Sequence, residues 1–282
     1  MKVGRFTIEQ LSEGQFEIFD DGAFNKLSQK ETGPAVDLPV EVSTTVGINP
    51  VLVSTGEQHI LLDTGLGWGL DAGSRYPEVS NAVTNLAIFG LAPEDITHVI
   101  LTHLHYDHAA GSTYTDDRAL TQPTFPNATY YLQKREWEYA ITHAGKPTAA
   151  GKGATYKPDD LYRLFADDYL ELLDVEHAAI VPGIDAIWTG GHTPGHQVIR
   201  VHDQGEAAYY LGDLLPSKAH LNRYAMRHVD IHPNQAKKRK LQLLQEGCEE
   251  NAHLLFYHSL YSKAGVLAKD ENDRKYVLKE EN

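Results

Sequence analysis

The sequence predicts an α+β fold in which helices lie on the outside of stacked sheets. Three features point to it. Short apolar runs bounded by turn residues recur through the 282 residues, and segments of helical spacing fall between them. The stretches before and after a break near 145–160 show the same mixture of strands and helices. The length fits a single domain, 1–282, of two intimate halves.

Each element follows from its local pattern. The first twenty residues alternate loosely through Val3, Phe6, Ile8, Phe16 and Ile18 and read as a strand pair. Residues 21–44 are polar, contain Gly33-Pro34 and Leu38-Pro39, and read as a long surface loop. Residues 45–54 and 58–62, split by Thr55-Gly56-Glu57, predict a hairpin that ends in the tight turn Asp63-Thr64-Gly65-Leu66-Gly67. Helical spacing covers 79–90, and His98-Val99-Ile100-Leu101 is a short buried strand. Residues 130–132 predict a strand, 134–141 a helix, 144–158 a Gly- and Pro-containing loop, and 159–165 a short helix. Strands are expected at 170–175, 179–188, 197–202 and 207–212. Pro233 is well placed to open a long helix over 234–250, and a last strand, 254–257, ends at His258.

Composition narrows the function. A formal charge of −14 disfavours nucleic acid and anionic membrane, which are bound through clustered Lys and Arg. The basic run Lys237-Lys238-Arg239-Lys240 reads as a solvated helix face. The single cysteine, Cys248, excludes an intrachain disulfide and a thiolate cluster, and its helical setting reads as inert. The start of the chain lacks the apolar core of a signal peptide, and no apolar run reaches the ~18 residues a membrane span needs. A cytoplasmic location is the expectation.

The fifteen histidines are unevenly distributed. His103-Leu104-His105-Tyr106-Asp107-His108 follows a buried strand directly. Histidines at i and i+2 on extended chain point to the same side, and a turn brings Asp107 and His108 back toward them. Four ligands in six residues exceed what one tetrahedral zinc with its water takes, so two adjacent metal sites are implied. Further ligands are then expected at other strand ends. His192 in Gly191-His192-Thr193-Pro194-Gly195-His196, Asp213 in Leu211-Gly212-Asp213, and His258 meet that expectation. Gly111 is expected to permit close approach of a following helix. His98, His196, His202, His228 and His232 read as structural or surface residues. His220, on the segment after Asp213, is the candidate substrate contact. Trp68, Tyr106, Tyr114 and Trp137 either line a pocket or simply pack.

With Asp63 in Leu62-Asp63-Thr64-Gly65, these motifs make the chain resemble the metallo-β-lactamase superfamily, in that family's order and over most of the chain. The resemblance implies a four-layer αβ/βα sandwich. It also implies two divalent metal ions, zinc first, with iron, manganese or cobalt compatible with the ligands. His103, His105 and His192 would bind one ion and Asp107, His108 and His258 the other, with Asp213 bridging. Asp63 would brace the ligand loop by hydrogen bonds. A metal-bridging hydroxide would be the nucleophile, with Asp107 as the catalytic residue that orients it and carries a proton.

The resemblance is nearest to quorum-quenching lactonases and organophosphate hydrolases. It implies a small-molecule ester or lactone substrate; a homodimer is a further expectation, which no motif carries. Phosphotriester or aryl ester hydrolysis is the alternative. A glyoxalase II-like thioesterase and a non-catalytic metal-binding member rank below it. One departure bears on substrate: acyl homoserine lactonases of the best-known type carry a Tyr three residues after the bridging Asp, where this chain has Pro216.

Overall fold

Strand formation follows the apolar runs. The structure, a computed structural model, describes residues 1–18, 24–27, 45–144, 156, 158–227, 229–270, 272 and 275–279. The first part of the chain forms β1 (Lys2–Val3), β2 (Phe6–Gln10), β3 (Gly14–Ile18), β4 (Phe24–Leu27), β5 (Thr45–Ile48), β6 (Val51–Ser54) and β7 (His59–Leu62). There follow α1 (Ala82–Ile88), β8 (His98–Ile100), α2 (Tyr106–Ala109), β9 (Thr113–Thr115), β10 (Thr121–Pro123), β11 (Thr129–Gln133), α3 (Lys134–His143), α4 (Pro158–Ala166) and β12 (Leu170–Leu173). The second part forms β13 (His177–Val181), β14 (Ile184–Trp188), β15 (Gln197–Asp203), β16 (Glu206–Tyr210), α5 (Pro233–Glu249), β17 (His253–Leu255), β18 (Ala264–Lys269) and β19 (Tyr276–Lys279).

Two seven-stranded sheets result, ordered β1-β2-β6-β7-β8-β11-β12 and β13 through β19. Both faces of each are covered, which explains why the central strands read as continuous apolar runs. Ile60 and Leu62 of β7 and Ile100 of β8 pack between the sheets against Ile184, Ile199, Val201 and Tyr210. Leu61 and Val99 point the other way, onto Leu86 of α1, Trp137 and Ala140 of α3, and Leu164 of α4. On the far side, Val198, Tyr209 and Leu254 pack against Leu243 and Leu244 of α5. The order of layers is therefore helix, sheet, sheet, helix, the four-layer sandwich.

Several predicted elements change. The expected opening strand pair splits: β2 joins the first sheet, while β3 pairs with β4 and β5 in a separate three-stranded sheet. Residues 45–54 break at Asn49-Pro50, where the Asn49 side chain donates to the carbonyls of Tyr257 (2.6 Å) and Ser259 (2.9 Å). The single strand expected over 179–188 is a hairpin, β13–β14, turned at Pro182-Gly183, with Gly183 at φ +91°. The strand at 254–257 is not the last, since β18 and β19 extend its sheet. Within the expected loop 21–44, Phe24–Leu27 forms β4; the rest of it, and most of 144–158, lies outside the described residues. β12 pairs in parallel with β11, so the first sheet continues past the expected break and the second begins at His177.

Gly111 proves necessary for a different contact from the one expected. A Cβ there would lie 2.1 Å from the Thr64 carbonyl oxygen, so it faces the Asp63 turn rather than a following helix. Gly111→Ala should cost about 1–3 kcal/mol of stability through overpacking against backbone. Chemical denaturation would check this, and an unchanged midpoint would contradict it.

Candidate metal centre

Strand direction gathers the site. β7, β8 and β11 are mutually parallel, as are β16 and β17. Ligands in such sheets bind beyond the carboxyl ends of the strands. Asp63 follows β7, His103 follows β8, His192 follows β14, Asp213 follows β16 and His258 follows β17. The four-residue helix α2 then turns Asp107 and His108 back toward His103.

Two groups of side chains form there: His103, His105, His192 and Asp213, and Asp107, His108 and His258. Within each group the ligand atoms lie within 4.8 Å of one another. His192 Nε2 is 3.0 Å from His105 Nδ1 and 3.1 Å from Asp213 Oδ2. His258 Nε2 is 3.1 Å from Asp213 Oδ1 and 3.3 Å from Asp107 Oδ2. One carboxylate, Asp213, thus touches both groups.

The hydrogen bonds fix which nitrogen each histidine presents. The Asp63 carboxylate accepts from Thr102 N–H (2.6 Å), Thr102 Oγ1–H (2.8 Å), Tyr210 O–H (2.9 Å) and His108 Nδ1–H (2.8 Å). Because the Thr102 hydroxyl donates to Asp63, His103 Nδ1–H donates to it in turn at 3.0 Å. His192 Nδ1–H donates to Asp230 Oδ1 (3.0 Å) and His258 Nδ1–H to the Gly47 carbonyl (2.9 Å). All four rings are braced through Nδ1 and turn Nε2 inward, the arrangement of metal-ligating histidines with outer partners. Two of the inward atoms, His103 Nε2 and His108 Nε2, are buried without a hydrogen-bond partner. Such orphaned atoms are costly, and a bound cation would satisfy them. The donor set of imidazoles and carboxylates fits a divalent metal ion.

The local field agrees. Burial lowers the pKa of His103 and His192 well below the usual value and that of His105 to about 4, so these rings are neutral. Burial also opposes charge on His108 and His258, but Asp107 and Asp63 outweigh it at the first and Asp213 at the second, raising them to about 10 and about 9. Asp213 is held well below the carboxylate range, against burial, by His258, Arg227 and His192. At His108 and His258 the neighbouring carboxylates thus favour positive charge strongly enough to outweigh burial.

All seven predicted ligands come together, and Asp63 is adjacent to them. His220 is buried, its Nδ1 3.0 Å from Ser217 Oγ. Trp137 packs in the core against Phe165, whereas Trp68 stacks on Tyr76. His196 is structural: its Nε2 accepts the Asp213 N–H at 3.1 Å. Lys240 corrects the expected solvated helix face. It is 5 % exposed and donates to the carbonyls of Asn222 (2.9 Å) and Ala225 (2.7 Å). His228 lies outside the described residues.

Sequence reasoning missed Asp230, Arg227 and Glu136. Arg227 donates to the carbonyl and, at 3.2 Å, to Oδ2 of Asp213. Neither Asp230 nor Arg227 carries a local signal. Glu136 did carry one: it shares the buried face of α3 with Trp137 and Ala140, an acid where an apolar residue belongs.

Fold and site together define a protein of the metallo-β-lactamase fold with a candidate metal centre. The chain belongs to the metallo-β-lactamase superfamily, whose description, Metallo-beta-lactamase superfamily, matches residues 43–246. It is 28 % identical over 186 residues to an N-acyl homoserine lactonase from a Bacillus species, covering 61 % of this chain and 62 % of that one. The chain therefore spans about three-fifths of the length of the curated relatives it matches. A probable metal-dependent hydrolase from Staphylococcus aureus superposes with a TM-score of 0.75 at 26 % identity, covering both chains fully. AidC, a dizinc quorum-quenching lactonase, shares the fold with a TM-score of 0.73 at 22 % identity, covering 100 % of this chain and 96 % of its own. Among the described residues no helix is long and apolar enough to cross a membrane.

His220, which is not among the seven candidate ligands, gives a pH test. Burial lowers its folded pKa from 6.5 to about 3. The unfolded chain then binds more protons below pH 6.5, so stability falls as pH drops from there toward 3. Between pH 7 and 5 this should amount to about 1–2 kcal/mol, absent in His220→Asn. Denaturation of both proteins at the two pH values would show it; identical pH slopes would refute it.

Proposed function

We propose that the chain is a dinuclear metal-dependent hydrolase that opens lactones or cleaves related carboxylic esters. His103, His105 and His192 would hold the first ion and Asp107, His108 and His258 the second, with Asp213 within reach of both groups. The observation that carries this reading is the set of inward nitrogens: four rings braced at Nδ1 turn Nε2 into the two adjoining groups, two rings to each, and two of those atoms are buried with no partner. When bound, the two ions supply Lewis acidity and a water whose pKa falls toward neutrality.

The chain's own residues then have distinct work. Asp107, beside His258, orients the attacking water and takes up its proton. Its carboxyl is held below the ordinary range, against burial, by His108 and His258, so it is ionised. The Tyr257 hydroxyl donates to the Asp107 carbonyl and fixes the turn that aims it. His220, on the segment after Asp213, contacts substrate.

Lactone chemistry is supported by the relatives named N-acyl homoserine lactonase. Pro216 bears on the substrate within that class. It is buried, its carbonyl accepts the His258 N–H at 2.8 Å, and it offers no hydroxyl to a reacting carbonyl. A lactone other than an acyl homoserine lactone is therefore the preferred substrate.

Elemental analysis of the purified protein should find two divalent ions per chain, zinc foremost. A screen of lactones, aryl esters and phosphotriesters should show lactones turned over fastest, and His105→Ala should abolish every activity together. An activity that survived in His105→Ala, or fastest turnover of a phosphotriester, would overturn the respective part of the reading. Asp107→Asn, assayed after loading to the wild-type metal content, should lose roughly 10²–10⁴-fold in kcat. Full turnover in that variant would remove Asp107 from the mechanism.

A further inference from the structure

Glu136 sits on the first turn of α3 and is completely buried. Among the described residues no cation pairs with it. Its partners are all donors: Leu104 N–H at 3.1 Å and Tyr156 O–H at 3.4 Å on Oε1, Thr193 O–H at 2.6 Å and Gly195 N–H at 3.0 Å on Oε2. Four donors on two oxygens call for the ionised carboxylate, since a protonated acid would turn its own O–H against one of them. Burying an unpaired charge is costly, and hydrogen bonds only partly offset it. The position of the donors shows what the charge does there.

Leu104 lies between His103 and His105. Thr193 and Gly195 follow His192. One carboxylate therefore joins the histidine loop of the first sheet to the Gly-rich turn of the second. The approach is close enough that a Cβ on Gly195 would sit 2.3 Å from the Glu136 backbone nitrogen. The second group is anchored otherwise: His108 by Asp63, and His258 by the Gly47 carbonyl.

We propose that Glu136 is the positioning residue for the first metal position alone, setting the distance of His103 and His105 from His192. This rests on the metal-binding reading above. Its action is selective because its donors flank only the histidines of that group. Glu136→Gln is isosteric, but its amide NH₂ must face either Leu104 and Tyr156 or Thr193 and Gly195, placing donor against donor on one side of the clamp.

The test is Zn²⁺ affinity, measured by competition with a chromophoric chelator in two backgrounds. In His258→Ala, which disables the second position, Glu136→Gln should weaken Zn²⁺ binding about 10–100-fold. In His105→Ala, which disables the first, the same change should leave the remaining affinity within about twofold. Thr193→Val, which removes one donor, should reproduce part of the selective loss, and Thr193→Ser should restore it. This milder pair decides the matter if Glu136→Gln does not fold. Equal losses in both backgrounds would reduce Glu136 to a general stabilising contact, and no loss in His258→Ala would leave it without a positioning role; either result overturns the proposal. An unsubstituted protein that bound no Zn²⁺ would instead overturn the metal-centre reading, and this one with it.

Discussion

The structure depends on one buried carboxylate. Asp63 is wholly buried at a left-handed backbone position, φ 56°, and it accepts hydrogen bonds from Thr102, Tyr210 and His108. These partners lie on the segment after β8, on β16 and on α2. A charge removed from water this completely is tolerable only when its lone pairs are filled. Asp63 therefore sets where three elements from both sheets can sit. It also fixes the tautomer of His108 directly and that of His103 through Thr102. Geometry and chemistry are set by the same contact.

A second device acts from outside the sheets. The segment from Pro216 to His232 passes over both ligand groups. Its Pro216 carbonyl accepts from His258, Arg227 holds Asp213, and Asp230 holds His192. Ile231 N–H and His232 N–H donate to the His192 and Gly191 carbonyls. Lys240 of α5 fastens the middle of this segment through two carbonyls. Burial lowers the Lys240 pKa to about 8. That cost is borne by a residue that touches no ligand, consistent with a role in holding backbone rather than in chemistry.

The candidate ligands were legible in the sequence because each cluster of them follows an apolar strand: His103 to His108 after β8, His192 after β14, Asp213 after β16 and His258 after β17. A strand end is a local pattern, and parallel strands of one sheet bring their ends together without further instruction. The braces were less legible. Asp230 and Arg227 act across 38 and 14 residues, and nothing in their own neighbourhood marks them. Lys240 was misread because a basic run on a helix is usually solvated; only the fold reveals that its fourth member turns inward. The hairpin at Pro182-Gly183 was there to be read, but the apolar residues on both sides masked the turn.

Buried polar contacts join the two sheets where apolar ones would have sufficed for cohesion. Gln197 donates to the Leu101 and Thr102 carbonyls and accepts from Gln133, and Glu136 adds its four donors nearby. Replacing such groups with well-packed hydrophobic ones is often neutral or stabilising, so cohesion is a weak reason for them to be here. Apolar packing tolerates small shifts of one layer on another, while a hydrogen bond is lost within a fraction of an ångström. The centre needs ligands from both sheets at distances near 3 Å, and a slip between layers would open it. The polar contacts are concentrated at the edge where that slip would matter, and the aliphatic core fills the space between the sheets where it would not.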